Sequence, residues 1–132
     1  MITTKLLELQ KSNITVERDG ENPHFKSSFT TLNEVLGKVK KPLNDLGIVI
    51  IQTPTAEGLQ TSLVDTEDDS RVESLVPFVG ATDMQKLGGA ITYAKRYALI
   101  AMLGLEDVDD DGNTASAPSL KKTKARNEDF EF

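Results

Sequence analysis

The chain has 132 residues, with 15 Lys and Arg, 21 Asp and Glu, one histidine and no cysteine. This length fits one domain with tails, and the composition excludes disulfides, cysteine-ligated metals and multi-histidine metal sites within one subunit. The net charge of −6 is uneven: residues 106–132 carry 4 basic and 8 acidic residues, so the remaining body is nearly neutral and leaves room for basic patches. No apolar run is long enough to span a membrane and no basic-then-apolar leader opens the chain, so we expect a cytoplasmic protein.

The first thirty residues predict short elements. Thr3–Gln10 has leucines at helical spacing and predicts a short amphipathic helix, whereas Ile14–Arg18 alternates and predicts a strand. Asp19–Pro23 predicts a turn. His24–Ser28 follows as an extended stretch in which we expect Phe25 to fill the core.

Lys26 lies in that extended stretch and has two interpretations. It either contacts a nucleic-acid phosphate or belongs to a solvated strand surface, and the residues around it leave both open.

A second helix is predicted after Thr31, which forms a capping-box pattern with Glu34. Its apolar stripe runs through Leu32, Val35, Leu36, Val39, Leu43 and Leu46. Gly47 is the expected C-cap, and Pro42 predicts a bend because it removes one helical hydrogen bond. Three exposed lysines cluster at that bend and form either a solvated surface or a DNA contact: Lys38, Lys40 and Lys41.

Three strands are predicted next. Ile48–Thr53 is a continuous apolar run that indicates a buried strand, and Leu59–Thr66 and Arg71–Val79 alternate as the two arms of a hairpin. Strands grouped between helices indicate an α+β fold. We expect a small antiparallel sheet of three or four strands, packed by the bent helix and a long C-terminal helix.

The long helix is predicted over Thr82–Leu105, with Thr82 and Gln85 as a capping box and Gly104 as the C-cap. At helical spacing its expected core face consists of Met84, Leu87, Ala90, Ile91, Ala94, Ala98, Ala101 and Met102.

The opposite arc of this helix has an unusual composition: Gln85, Lys86, Gly89, Thr92, Tyr93, Arg96 and Tyr97. A mid-helix glycine costs up to about 1 kcal/mol relative to alanine, so Gly89 suggests close approach of a phosphate strand or a neighbouring subunit. Cations that contact phosphates and rings that stack on bases are typical of single-strand binding. The alternative is a solvated face with two half-buried tyrosines.

The last residues are acidic and polar. Asp107–Gly112 matches the start of a calcium-binding loop, but Pro118 stands where a bidentate glutamate is needed, so we expect no metal and no cofactor. Residues 113–132 predict a disordered tail, which leaves residues 1–112 as the folded domain. The tail contains a basic cluster and ends in an acidic-aromatic tip, defined as Asp129, Phe130, Glu131 and Phe132.

Two stretches carry a family resemblance. Gln85–Leu99, followed by Leu103-Gly104-Leu105 and the acids Asp107 to Asp111, closely resembles the signature of the ERF (essential recombination function) family, and Asn22–Ser27 adds a second match. Together the matches span roughly residues 22–112. The family consists of single-strand annealing proteins, mostly phage-encoded. Where the family usually has a Gly-Ser pair in this helix, this sequence has Gly88-Gly89.

The resemblance implies a DNA-binding protein, not an enzyme, that anneals complementary single strands without ATP during recombination. It implies rings or filaments of subunits, with close approach at Gly88 and Gly89. The residues expected to contact DNA are Lys26, Lys38, Lys40, Lys41, Lys86, Tyr93, Lys95, Arg96 and Tyr97. The tip resembles that of bacterial single-stranded DNA-binding proteins, which recruits partners. Two alternatives remain: a binding module that recruits partners without annealing, and a metal-dependent nuclease using Asp107–Asp111.

Overall fold

The computed structural model describes residues 1–22 and 27–107, which form helices packed on one face of an antiparallel sheet. The elements in chain order are α1 Ile2–Lys11, β1 Thr15–Val16, β2 Gly20–Asn22, β3 Ser27–Phe29, α2 Leu32–Asp45, β4 Ile48–Thr55, β5 Gly58–Asp65, β6 Arg71–Val76, α3 Met84–Leu103 and β7 Glu106–Asp107. The predicted α+β class is confirmed.

The main sheet has the strand order β4-β5-β6, and both neighbouring pairs are antiparallel. The predicted hairpin of β5 and β6 is confirmed. Two smaller pairs flank this sheet: β2 and β3 form an antiparallel hairpin, and β1 pairs with β7 in parallel through Thr15 and Glu106. The sequence predicted a turn over 19–23, but residues 20–22 form β2 because they pair with β3.

The core lies between the helices and the sheet face that carries Ile48 and Leu63. Its buried side chains are Ile2, Leu9, Val16, Val35, Val39, Leu43, Ile48, Leu63, Leu99 and Leu103. The prediction of a buried strand over Ile48–Thr53 is wrong for alternate residues, because β4 is at the sheet edge and only every second residue faces the helices. Val49 and Ile51 point to the other face and are exposed.

At the start of α2, one of the two hydrogen bonds of the predicted capping box is present. Thr31 Oγ1 accepts a hydrogen bond from Glu34 N at 3.1 Å. In the second bond, Asp19 takes the place expected for the Glu34 side chain. The Asp19 carboxylate accepts hydrogen bonds from Thr31 N and from Thr31 Oγ1, each at 2.8 Å. Asp19 therefore ties the start of the β2–β3 hairpin to α2. Pro42 lies inside α2, and Gly47 follows the helix with φ of 84°.

Two predictions for α3 need correction. The N-cap is Asp83, whose side chain accepts from Lys86 N at 2.8 Å, in place of Thr82. The buried face consists of Ala94, Ala98, Leu99 and Leu103, whereas Met84 is 80% exposed and Ala101 is exposed. The second half of the helix packs on α2 and the sheet, so burial begins only at Ala94. No helix within residues 1–22 and 27–107 has the length and hydropathy of a membrane span.

A buried ion pair joins α1 to the sheet. Asp65, on β5, is 0% exposed and accepts from Lys5 Nζ of α1 at 2.8 Å and from Glu67 N at 3.0 Å. The hydrogen bond from Lys5, followed by that from Glu67, holds the pKa of Asp65 below its usual value. The same pair raises the pKa of Lys5.

This pair predicts an acid-sensitive fold. Because the folded-state pKa of Asp65 is lowered, its contribution is complete above about pH 4 and is lost as pH falls further. Asp65→Asn should lower the free energy of unfolding at neutral pH and flatten its dependence on acid, as measured by urea denaturation at several pH values. The control is Asp45→Asn, which removes a surface pair with Lys41 and should leave both quantities close to the parent's. A parent-like acid dependence in Asp65→Asn would show that this pair does not set it.

Candidate nucleic-acid interface

Arg96 lies among three aromatic rings at the surface of α3. Its guanidinium carbon is 5.0 Å from the ring centroid of Tyr97, 5.4 Å from that of Tyr93 and 5.4 Å from that of Phe29. The two tyrosine rings are 4.4 Å apart at 39°. These separations are within the range in which a cation is attracted to a ring face. We call these four residues the Arg96 cluster.

Local sequence places three of these side chains together. Tyr93, Arg96 and Tyr97 are at i, i+3 and i+4 on α3, so they share one surface of the helix. The two tyrosines are 57% and 45% exposed, so their rings remain accessible to a ligand. Six of the seven residues of the arc defined from the sequence are exposed, and Arg96 is half-buried.

Phe29 comes from β3 and was not among the predicted site residues. Its ring covers Gly20 on the paired strand, where an added Cβ would be 2.7 Å from the ring. Gly20 is therefore required for the ring position. The sequence signal was Gly20 itself, which we interpreted as part of a turn because the β2–β3 pairing is not apparent from periodicity.

Among the residues that the structure describes, no carboxylate neutralises the positive charge of Arg96. Within residues 1–22 and 27–107 no carboxylate lies at ion-pair distance from it, and its described neighbours are the three rings of the cluster. The N–H groups of its guanidinium lie in one plane and can donate to a phosphate. Burial, and then the hydroxyl of Tyr97, raise the pKa of Tyr93, while the charge of Arg96 acts in the opposite direction.

An apolar groove adjoins the cluster, with a volume of about 420 Å³. One wall is α3 and the other is the end of β6 with the residues after it. The lining residues are Val76, Pro77, Val79, Gly89, Ala90, Tyr93 and Ala94. We call it the α3 groove. No described atom outside the local helix backbone lies within 4 Å of the position where Gly89 would carry a Cβ, so Gly89 leaves this side of the groove open. Tyr93 belongs to both the groove and the cluster.

Lysines on α3 flank this surface. Lys86 is exposed, lies one turn before Gly89 and has its Nζ 3.4 Å from Thr82 Oγ1. Lys95 is only half-exposed, and its carbonyl accepts from Gln52 Nε2 at 3.2 Å, so its backbone is tied to the sheet. Gly88 is exposed beside Gly89 but does not line the groove.

The lysines of α2 are not brought to the Arg96 cluster by any described contact. Lys38 pairs with Glu34 at 3.0 Å and donates to Thr15 O at 3.3 Å, and the hydrogen bond to Glu34 raises the pKa of Lys38. Lys41 pairs with Asp45 at 2.8 Å, whereas Lys40 is exposed. Lys38 is therefore engaged in holding α2 to β1.

Other predicted site residues lie outside the described part of the chain. They are Lys26, the tip residues Asp129, Phe130, Glu131 and Phe132, and all of the acidic run except Asp107. Among the residues that the structure describes, no group of three or more His, Cys, Asp or Glu could hold a metal ion.

Comparison with known proteins decides the family. The profile of the ERF superfamily matches residues 2–130, nearly the whole chain. The chain belongs to the ERF superfamily. This membership associates it with single-strand annealing in DNA recombination. No curated protein and no solved structure shows a significant match to it. The Arg96 cluster and the α3 groove lie inside the segment that matches the ERF profile.

The contacts in the Arg96 cluster predict that two variants shift the pKa of Tyr93 in opposite directions. Tyr97→Phe removes a hydroxyl that raises the pKa of Tyr93, so that pKa should fall toward its usual value. Arg96→Gln removes a charge that favours the tyrosinate, so the pKa of Tyr93 should rise further. Ultraviolet absorbance titration follows tyrosinate, and Tyr93 is the single tyrosine when Arg96→Gln is measured together with Tyr97→Phe. Shifts of the same sign in both variants would contradict the proposed roles of the two neighbours.

Proposed function

We propose that this ERF-superfamily protein binds single-stranded DNA along the exposed arc of α3 and anneals complementary strands without ATP. The observation that carries the proposal is Arg96, a cation without a described carboxylate partner, held between exposed tyrosine rings beside an open apolar groove. Phosphate neutralisation combined with base–aromatic stacking is the usual physical basis of single-strand binding. The family match supports the same activity.

In the proposed mechanism, Arg96 and Lys86 contact phosphates while the rings of Tyr93 and Tyr97 hold bases. Gly89 allows the strand to approach the helix backbone, because no atom of the described residues fills the space where its side chain would be. A strand held by its phosphates keeps other bases available for pairing. We propose that no covalent step is catalysed, and that subunits assemble as a ring or filament that presents many such surfaces to one strand.

The main test of the function is a salt titration combined with an annealing assay. Affinity for a labelled single strand should fall linearly on a log–log plot of salt, and each lost phosphate contact should reduce the slope by about 0.7. Arg96→Gln should show that reduction. Lys11→Gln, a change at an exposed lysine on α1, should keep the parent slope. Complementary labelled oligonucleotides should pair faster with the parent than alone, without ATP. A salt-independent affinity, or no acceleration, would refute the proposal.

Substitutions at two adjacent glycines test the shape of the α3 groove without changing the charge of the surface. Gly88→Leu and Gly89→Leu should each raise helix propensity by up to about 1 kcal/mol, and neither added Cβ meets a neighbouring atom of residues 1–22 and 27–107 within 4 Å. Only Gly89 lines the α3 groove. Gly89→Leu should therefore lose strand binding while its thermal unfolding stays at or above the parent's, whereas Gly88→Leu should bind like the parent. Sedimentation of both variants shows whether assembly changes with binding. Equal binding by both variants would exclude a role for the groove.

A further inference from the structure

The α3 groove has an apolar lining and a cation near each end. Its wall residue Val79 is 85% exposed, so no described residue covers that side. Lys86 lies one turn before Gly89, and Arg96 lies one turn after Tyr93. A ligand that alternates aromatic and acidic groups fits this pattern, because its rings can enter the groove while its carboxylates approach the two cations.

The chain itself contains such a segment. The tip reads Asp129-Phe130-Glu131-Phe132, with aromatic and acidic residues alternating. We propose that the tip docks in the α3 groove of its own chain, with phenylalanine rings on the apolar wall and carboxylates toward Lys86 and Arg96. The competition with DNA described below rests on the proposed function, whereas the docking itself does not.

The connecting chain is long enough for this docking. Gly89 and Leu103 are 14 positions apart on α3, which corresponds to a rise of about 21 Å. Residues 108–128 connect β7 to the tip and span at most about 70 Å when fully extended. A tethered segment that reaches its site has an effective concentration in the millimolar range. Even a weak interaction is therefore populated within one chain.

The tip and single-stranded DNA compete for the same groups. Phosphates and the tip carboxylates both require Lys86 and Arg96, and bases and phenylalanine rings both require the apolar surface beside Tyr93. With an effective concentration of about 1 mM, a tip that binds with a Kd of about 0.3 mM weakens DNA binding roughly fourfold. Removal of the tip's charges should therefore strengthen DNA binding by about the same factor.

The first experiment measures docking without DNA. The full-length variant Phe130→Ser, Phe132→Ser is titrated with a peptide of the sequence of residues 124–132, which has no tyrosine. Both tyrosines of the chain lie in the Arg96 cluster, so tyrosine fluorescence reports on this surface alone. We expect a saturable change that is absent with the peptide carrying serine at both phenylalanines and absent when the protein also carries Gly89→Leu. No saturable change at millimolar peptide overturns the docking.

The second experiment separates docking from net charge. Asp129→Asn, Glu131→Gln should bind a single strand about fourfold more tightly than the parent at low salt. Asp110→Asn, Asp111→Asn changes the net charge equally outside the tip and should stay within about twofold of the parent. Equal strengthening by both pairs overturns the docking in favour of a simple charge effect. If no variant binds DNA, the proposed function fails, and the peptide titration alone decides whether the tip docks.

Discussion

The contact of Arg96 with three aromatic rings is the interaction on which the candidate site depends. An arginine paired with a carboxylate would be locally neutralised, whereas ring faces attract the cation and leave its charge in place. Phe29 is the ring that comes from outside α3. Its position requires the β2–β3 hairpin, the absence of a side chain at Gly20, and the bonds from Asp19 that fix the hairpin to Thr31. A charge on α3 is therefore oriented by elements formed in the first third of the chain.

Tyr93 connects the Arg96 cluster to the α3 groove. It contacts Arg96 on one side and lines the α3 groove on the other. Gly89 lowers helix propensity at the same groove, and no neighbouring atom in the described structure explains the absence of a side chain there. The open space and the exposed tyrosines are the features expected where a ligand approaches a helix closely.

The sequence predicted the class of fold and the exposed arc of α3 because both follow from periodicity along the chain. Long-range contacts account for what it missed. The core face predicted for α3 included Met84 and Ala101, and only the packing of the second half of the helix on α2 and the sheet selects Leu99 and Leu103. Phe29 was missed because its role is defined by a partner 67 positions away in Arg96. The hydrogen bond from Lys38 to the carbonyl of Thr15 likewise becomes visible only in the tertiary structure, whereas the pairing of Lys38 with Glu34 four residues earlier on α2 is of the kind that helical spacing predicts.

If the tip occupies the α3 groove, the acidic charge at the C-terminal end of the chain has a binding partner on the same chain. If the same surface binds DNA as proposed, the acidic tip is a weak internal competitor, since each tip carboxylate opposes a phosphate at the same two cations. A short strand that covers one subunit must displace one tip with few phosphate contacts. A long strand that crosses several subunits of the proposed ring or filament must displace one tip at each of them, so its phosphate contacts and the competition both grow with its length. Competition of this kind would therefore weaken binding of a long strand by the product of the factors at the subunits it covers, and such a strand would bind only where its contacts outweigh that loss at each subunit.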